Sequence, residues 1–253
     1  MRTLPALLLV LAATAASAGP EPPAAVGIII DDLGQNLADG RRVARLPGPV
    51  VCAVLPHTPH GRAIAETAHR AGKEIILHLP MAAHDAAEPG PGQLDAHMPD
   101  GEVRATLDLN LATVPHVIGV NNHMGSLLTL HAPAMDRLMR ELAARRLLFI
   151  DSRTHAGSVA AARARAHGIP ALERNVFLDR DPTETEVSRQ LARLERLARQ
   201  RGYALAIGHP YPTTLAALEQ WLPQLSARGL RLVGLSTRLA ETEAKPWRAS
   251  WSR

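Results

Sequence analysis

The sequence predicts an α/β fold, a closed or nearly closed barrel of βα units, and two observations carry that prediction. Short aliphatic, β-branched runs alternate with amphipathic stretches along the chain, the pattern of parallel strands joined by covering helices. Seven or eight such units follow one another without an obvious break, which favours a ring; an open, doubly wound sheet is the alternative. The 253 residues, 46% hydrophobic and 21% charged, suit one large α/β domain or two small ones. With only 2 Phe, 2 Tyr and 3 Trp, the core must be aliphatic.

Residues 1–18 read as an export signal: a positive start at Arg2, an apolar stretch from Ala6 to Ala13, and a small-residue cleavage site at Ala16-Ser17-Ala18. That stretch is short for a transmembrane span. The expectation is an exported protein of the periplasm or cell envelope, with no stable membrane span after signal cleavage. Residues 19–25 are a linker, 26–240 the barrel domain and 241–253 a polar tail.

Within the barrel, strands are expected at 26–31, 50–55, 74–79, 117–121, 147–151, 203–208 and 231–235, with a weaker one near 169–177. Thr58-Pro59 reads as N-cap and first turn of a helix that Gly72 closes. His131 to Arg146, with Pro133 near its start, is a second helix. Asp181-Pro182 with Glu184 opens a long amphipathic helix carrying Val187, Leu191, Leu194 and Leu197 and ending at Gly202. Thr213 or Thr214 starts another that runs to Gly229. Residues 82–99, rich in Pro, Gly, Ala and Asp, form an irregular excursion over one end of the sheet. The single cysteine, Cys52, lies in an apolar strand, so no internal disulfide forms and a small core residue is expected.

Composition narrows the function classes. The formal charge is +4, compatible with anionic envelope polymers, yet residues such as Arg140, Arg145, Arg163 and Arg165 are spread over helices, as on solvated faces. No basic cluster is interleaved with aromatics, so nucleic acid is not an expected partner. No GxGxxG follows the first strand and no GxxxxGK[ST] occurs, which leaves nucleotide-binding folds without their phosphate cradle.

Chemistry-bearing residues recur at strand exits. The run Val26 to Ile30 ends in Asp31-Asp32, Glu74 to Leu77 in His78, Val117 to Val120 in Asn121-Asn122-His123, Leu147 to Ile150 in Asp151-Ser152, and Ala204 to Gly208 in His209. In parallel βα architectures these strand ends share one face and carry the chemistry. Each has a bland reading: an Asp caps the next helix, an Asn occupies a left-handed turn, a His sits satisfied in the core. Their common placement favours a site. Tandem acids repel and raise one another's pKa unless a cation or donor lies between them. Histidines and aspartates without a thiolate suit a borderline divalent cation, most simply Zn²⁺. Beside it, a free carboxylate can act as base and a histidine as acid.

The segments Ile28 to Gly34, Leu77-His78-Leu79-Pro80-Met81, Asn121 to Ser126, Phe149 to Thr154 and Ala206-Ile207-Gly208-His209-Pro210 resemble the polysaccharide deacetylase superfamily, in particular its divergent branch of exported bacterial proteins. The resemblance implies a distorted (β/α)₇ barrel and the metal-dependent removal of acetyl groups from an acetylated envelope glycan such as peptidoglycan. Carried over by position, Asp31 matches the general base, Asp32 the metal-binding aspartate, His78 the first metal histidine and His209 the acid for the leaving amine. The main family takes its second histidine from an H-x-x-x-H segment; here Ala82 occupies that position, and His123 is the expected third ligand. The family's Arg-Pro and Asp-Trp segments are not evident. Asp151 is expected to orient a histidine or join the metal shell, and Asn121, Asn122 and Ser126 to contact substrate. A catalytically silent glycan- or partner-binding barrel is a second reading. A glycosidase using Asp31 with Asp151 is a third.

Overall fold

The strand Ala24–Leu33 (β1) is the hub of the sheet. The structure, a computed structural model, describes residues 23–84 and 88–242; the expected signal segment, most of the linker and all but the start of the tail lie outside them. The other strands are Val51–Val54 (β2), Ile75–Met81 (β3), Val117–Met124 (β4), Leu148–Asp151 (β5), Ala171–Glu173 (β6), Val176–Phe177 (β7), Tyr203–Gly208 (β8) and Leu230–Leu232 (β9). The helices are Leu37–Ala44 (α1), Gly61–Arg70 (α2), Asp100–Thr113 (α3), Ala132–Ala144 (α4), Ala160–Ala166 (α5), Glu184–Arg201 (α6), Pro212–Trp221 (α7) and Leu235–Thr242 (α8).

Every strand pair is parallel, in the order β6-β5-β4-β3-β2-β1-β8-β7. β9 pairs with Ala24 to Val26, on the edge of β1 that β2 leaves free below Ile29. The two ends of the path, β6 and β7, are halves of one extended segment, 171–177. Its first half pairs with β5 and its second with β8, so the chain itself closes the ring. Counting the segment once, and leaving β9 outside the path, gives the seven staves of a distorted (β/α)₇ barrel. Side chains tie the seam where the backbone changes partner. Arg174 donates to the carbonyls of Ser152 and Arg153 at 2.6 and 2.8 Å, and Asn175 Oδ1 accepts from Leu205 N at 2.8 Å.

Strand parity sorts the apolar residues into two layers, because successive side chains point to opposite faces. Val26, Ile28, Ile30, Leu77, Leu79, Phe149, Val176 and Ala206 pack under the helices. Ala25, Ile29, Ile76, Ile150, Leu205, Ile207 and, in part, Phe177 fill the barrel interior, where α8 plugs one end through Leu235 and Leu239. Glu74 anchors that plug by accepting from Leu235 N at 2.6 Å and Ser236 N at 3.1 Å; this cap ends the expected 231–235 strand at Leu232. Cys52 lies in the helix-facing core, its thiol pushed up to about 12 by burial.

Other boundaries shift for local reasons. Thr58 Oγ1 donates to Leu55 O instead of capping a helix, and α2 starts at Gly61. Thr183, not Asp181, caps α6. α7 ends at Trp221, and a 3₁₀ turn Leu222–Gln224 follows. The excursion after β3 is fastened by a bridge between Met81 and Leu94 and by Asn110 Nδ2 donating to Gly92 O at 2.8 Å.

Gly119 sits in β4 where its register against β3 shifts. A Cβ there would lie 2.3 Å from Leu148 Cδ1 and 2.8 Å from the Leu148 carbonyl. Gly119→Ala is therefore expected to destabilise the fold by about 1–3 kcal/mol through overpacking, read as a lower urea midpoint at unchanged slope.

Candidate metal centre

By parity, Asp31 continues the interior row of Ala25 and Ile29, and a regular strand would turn Asp32 to the opposite face. A bulge between Ile30 and Leu33 breaks the register with β2, and Asp32 adopts a left-handed backbone, φ 55°. An extra residue of this kind re-aims a side chain. Both carboxylates thereby face His78: its Nε2 lies 3.6 Å from Asp31 Oδ2 and 3.2 Å from Asp32 Oδ1. Met124 (φ 53°) and Arg153 (φ 48°) are also left-handed, just past the β4 and β5 positions nearest the site. Backbone strain of this kind gathers at functional sites.

His78 is buried on β3, beside Asn121 of β4. Asn121 Nδ2 donates to Asp31 Oδ1 at 2.8 Å and to Ser152 Oγ at 3.2 Å, which leaves its Oδ1 to accept from His78 Nδ1 at 2.8 Å. The proton on Nδ1 turns the Nε2 lone pair toward Asp32. His123 Nδ1 lies 3.0 Å from both His78 Nε2 and Asp32 Oδ1. Asp32 Oδ1 is buried and has no hydrogen-bond partner, an expensive state for a carboxylate oxygen. Three donors with mutual separations of 3.0–3.2 Å match the roughly 3.3 Å ligand–ligand edge of tetrahedral zinc with bonds of ~2.0–2.1 Å. The residues present therefore fit a small divalent cation. Asp32, His78 and His123 are the one group of potential metal ligands found among the described residues.

His209 lies on the opposite side, its Nε2 3.7 Å from Asp32 Oδ2. Its Nδ1 donates to Asp179 Oδ1 at 2.9 Å and its backbone N–H to Asp179 Oδ2 at 2.6 Å; Thr214 Oγ1 donates to the same Oδ2 at 2.8 Å. Burial alone pushes the His209 imidazole down, but the Asp179 hydrogen bond and the charges of Asp31, Asp179 and Asp32 outweigh it and raise its pKa to about 9. A bound dication would pull that value back toward neutrality. Burial holds the Asp31 carboxyl above the usual carboxylate range, against the pull of His78, His209 and the Asn121 N–H. Burial also works to raise Asp32, but its two histidines overcome it and hold that carboxyl far below. The tandem acids thus part in behaviour, one reluctant to ionise and one fixed as an anion. A cleft of about 650 Å³ opens over Asp31, His78, His123 and His209, with Arg174 and Phe177 on its wall.

The family model of divergent polysaccharide deacetylases matches residues 28–239. The chain belongs to that family. The chain is 34% identical over 236 residues to uncharacterized protein YibQ of Escherichia coli K12, covering 93% of this chain and 74% of the other. Among solved structures, uncharacterized protein ATU2773 of Agrobacterium tumefaciens superposes with a TM-score of 0.82 at 28% identity, over 87% of this chain and 91% of that one. The catalytic domain of a peptidoglycan N-acetylglucosamine deacetylase from Eubacterium rectale superposes with a TM-score of 0.53 at 16% identity, over 89% and 94% of the two chains. At that identity the likeness concerns the fold.

The candidate site draws its histidines from neighbouring strands, β3 and β4, instead of one four-residue spacing. The expectations for Asp151 and Asn121 need correction. Asp151 orients no histidine. It follows Ile150, which fills the interior, so it faces the helices and accepts from Arg153 N at 2.8 Å and Ser158 Oγ at 2.7 Å. Asn121 is buried behind the site and bridges Asp31 to His78. Asn122, though largely buried, lines the cleft; it accepts from Ser152 N and donates to Met124 O. Ser126 Oγ accepts from His84 N, fastening the excursion after β3. Two residues enter that the sequence reading missed. Asp179 shares the inward parity of Phe177, the signal that could have found it. Arg174 lies at the seam, and burial lowers its pKa while the Asp31 and Asp151 charges raise it.

Proposed function

We propose that this chain is an exported, metal-dependent hydrolase that removes acetyl groups from an acetylated envelope glycan. The observation that carries the reading is the orphaned, buried Asp32 Oδ1 set between two imidazole nitrogens, with a second carboxylate and a third histidine on either side. Asp32, His78 and His123 would hold the cation, which supplies a Lewis acid that acidifies water and polarises the acetyl carbonyl. Asp31, kept basic by burial and oriented by Asn121, accepts the proton of the attacking water. His209 carries a proton at Nε2 and delivers it to the departing amine. Asp179 fixes its tautomer through Nδ1, as the third member of a triad does. Zinc is the metal proposed from the donor set, and export from residues 1–18.

The test is metal removal. Protein purified from the periplasmic fraction is expected to carry about one zinc per chain. It should release acetate from chitooligosaccharide or peptidoglycan, lose that activity in chelator and regain it with added zinc. Metal-free protein, or acetate release indifferent to chelator, overturns the reading.

The missing H-x-x-x-H spacing favours a second reading, a barrel that binds glycan without turnover; peptidoglycan pull-down with no acetate released across several metals would support it. The glycosidase reading loses its carboxylate pair, because Asp151 faces away from the interior.

A further inference from the structure

Five arginines stand on the cleft wall beyond the metal centre. Arg153, Arg174, Arg180, Arg189 and Arg193 all line it. Three of them have their charge or their hydrogen bonds engaged. Arg153 pairs with Glu173 at 2.8 Å, Arg189 with Glu186 at 2.6 Å, and Arg174 spans two carbonyls and stacks over Phe177 at 4.9 Å. Arg180 and Arg193 are exposed and make no ion pair among the described residues. Their placement follows from the helix. In α6, Val187, Leu191, Leu194 and Ala198 form the buried stripe. Glu186, Arg189, Gln190 and Arg193 stand at i, i+3, i+4 and i+7, a second stripe on one face, and that face borders the cleft. Arg180 projects from the turn between β7 and α6, on the same wall. Of the residues of this stretch that line the cleft, Arg180, Arg189 and Arg193 face one acid, Glu186, while Asp181 and Glu184 stand outside the lining; two guanidinium groups without an ion pair among the described residues, set beside a concave site, make a surface that attracts anions before contact.

We infer that the cleft takes a glycan bearing an anionic substituent, a carboxylate or a phosphate, on or next to the acetylated sugar, held by Arg180 and Arg193. The guanidinium fork matches both anions with two parallel N–H donors. The cleft volume lies within the range of small-ligand sites. It admits a short saccharide whose acetamido group reaches the metal centre while its anion meets α6. The inference rests on the glycan-hydrolase reading for what occupies the centre, but binding tests it without turnover.

Calorimetric titration of the full chain with three acetylated glucosamine tetramers separates the cases: one neutral, one carrying lactic-acid ether carboxylates on alternate sugars, and one carrying phosphate esters. The better charged ligand is expected to bind roughly tenfold tighter than the neutral one, the worth of one hydrogen bond to a charged group. Whichever charged tetramer shows the advantage identifies the anion. The advantage should shrink as salt rises above ~0.15 M, where the screening length is about 8 Å. In the double variant R180Q/R193Q, both positions being exposed, the charged-to-neutral affinity ratio should fall toward one. Equal affinity for all three tetramers, binding of none of them, or a ratio unmoved by the double variant overturns the inference. An arginine-dependent preference with no acetate released from any glycan sinks the hydrolase reading and leaves the anionic ligand standing.

Discussion

Replacing His78 by alanine is expected to strip the protein of stoichiometric zinc and to cut acetate release on the order of 10³-fold, the several kcal/mol that a catalytic metal contributes to transition-state charge. His78 is the keystone of the ligand set for a geometric reason. Like His123 it touches both other ligands, at 3.2 and 3.0 Å, and of the three it is the one aimed by Asn121. Its loss also orphans Asn121 Oδ1 in the core, at about 1–3 kcal/mol of stability, so a lower melting temperature is expected as well. Asp32→Asn separates the two effects. It keeps the shape, leaves Asn121 bonded to both Asp31 and His78, and replaces the anionic ligand with a neutral one. Elemental analysis beside an acetate-release assay decides the matter. Full zinc occupancy in both variants would remove the metal assignment.

The strand exits were legible in the sequence because a polar residue after an apolar run is visible without a structure. Asp31, Asp32, His78, His123 and His209 all come together from that one cue. What the cue lacks is facing. Asp151 stands at a strand exit too, but Ile150 before it fills the barrel interior, and period-two alternation then turns the aspartate outward. The same alternation hides Asp32, whose inward turn depends on a bulge and a left-handed backbone that no residue pattern announces. Asp179 was missed for a different reason. The segment 171–177 reads weakly because it is two half-strands serving different neighbours, and Arg174 and Asn175 at the changeover are polar residues doing backbone pairing. Without a firm strand there, nothing marked Asp179 as a strand exit.

Asp179→Ala is expected to lower turnover on the order of 10³-fold at undiminished zinc content. The carboxylate makes no contact with the proposed ligands; it accepts three hydrogen bonds, two from His209 and one from Thr214. Without it His209 Nδ1 loses its acceptor, the ring is no longer held with Nε2 toward the cleft, and the imidazole loses the anion that favours its protonated form. A triad whose orienting aspartate is altered shows losses of about 10⁴-fold with the geometry intact, and the smaller figure here reflects catalysis retained by the metal and by Asp31. Asp179→Asn preserves volume and the bond to Thr214 but supplies no charge, so it should fall almost as far; Asp179→Glu should recover part of the rate. Substrates with better leaving groups discriminate the roles. If His209 protonates the departing amine, an acetyl ester, whose alkoxide leaves more readily than an amide nitrogen, should suffer a smaller loss in Asp179→Ala than an acetamide does. Equal losses on both substrates, or a loss of zinc in step with activity, would mean that Asp179 supports the metal side of the cleft and would leave the acid role of His209 without its structural basis.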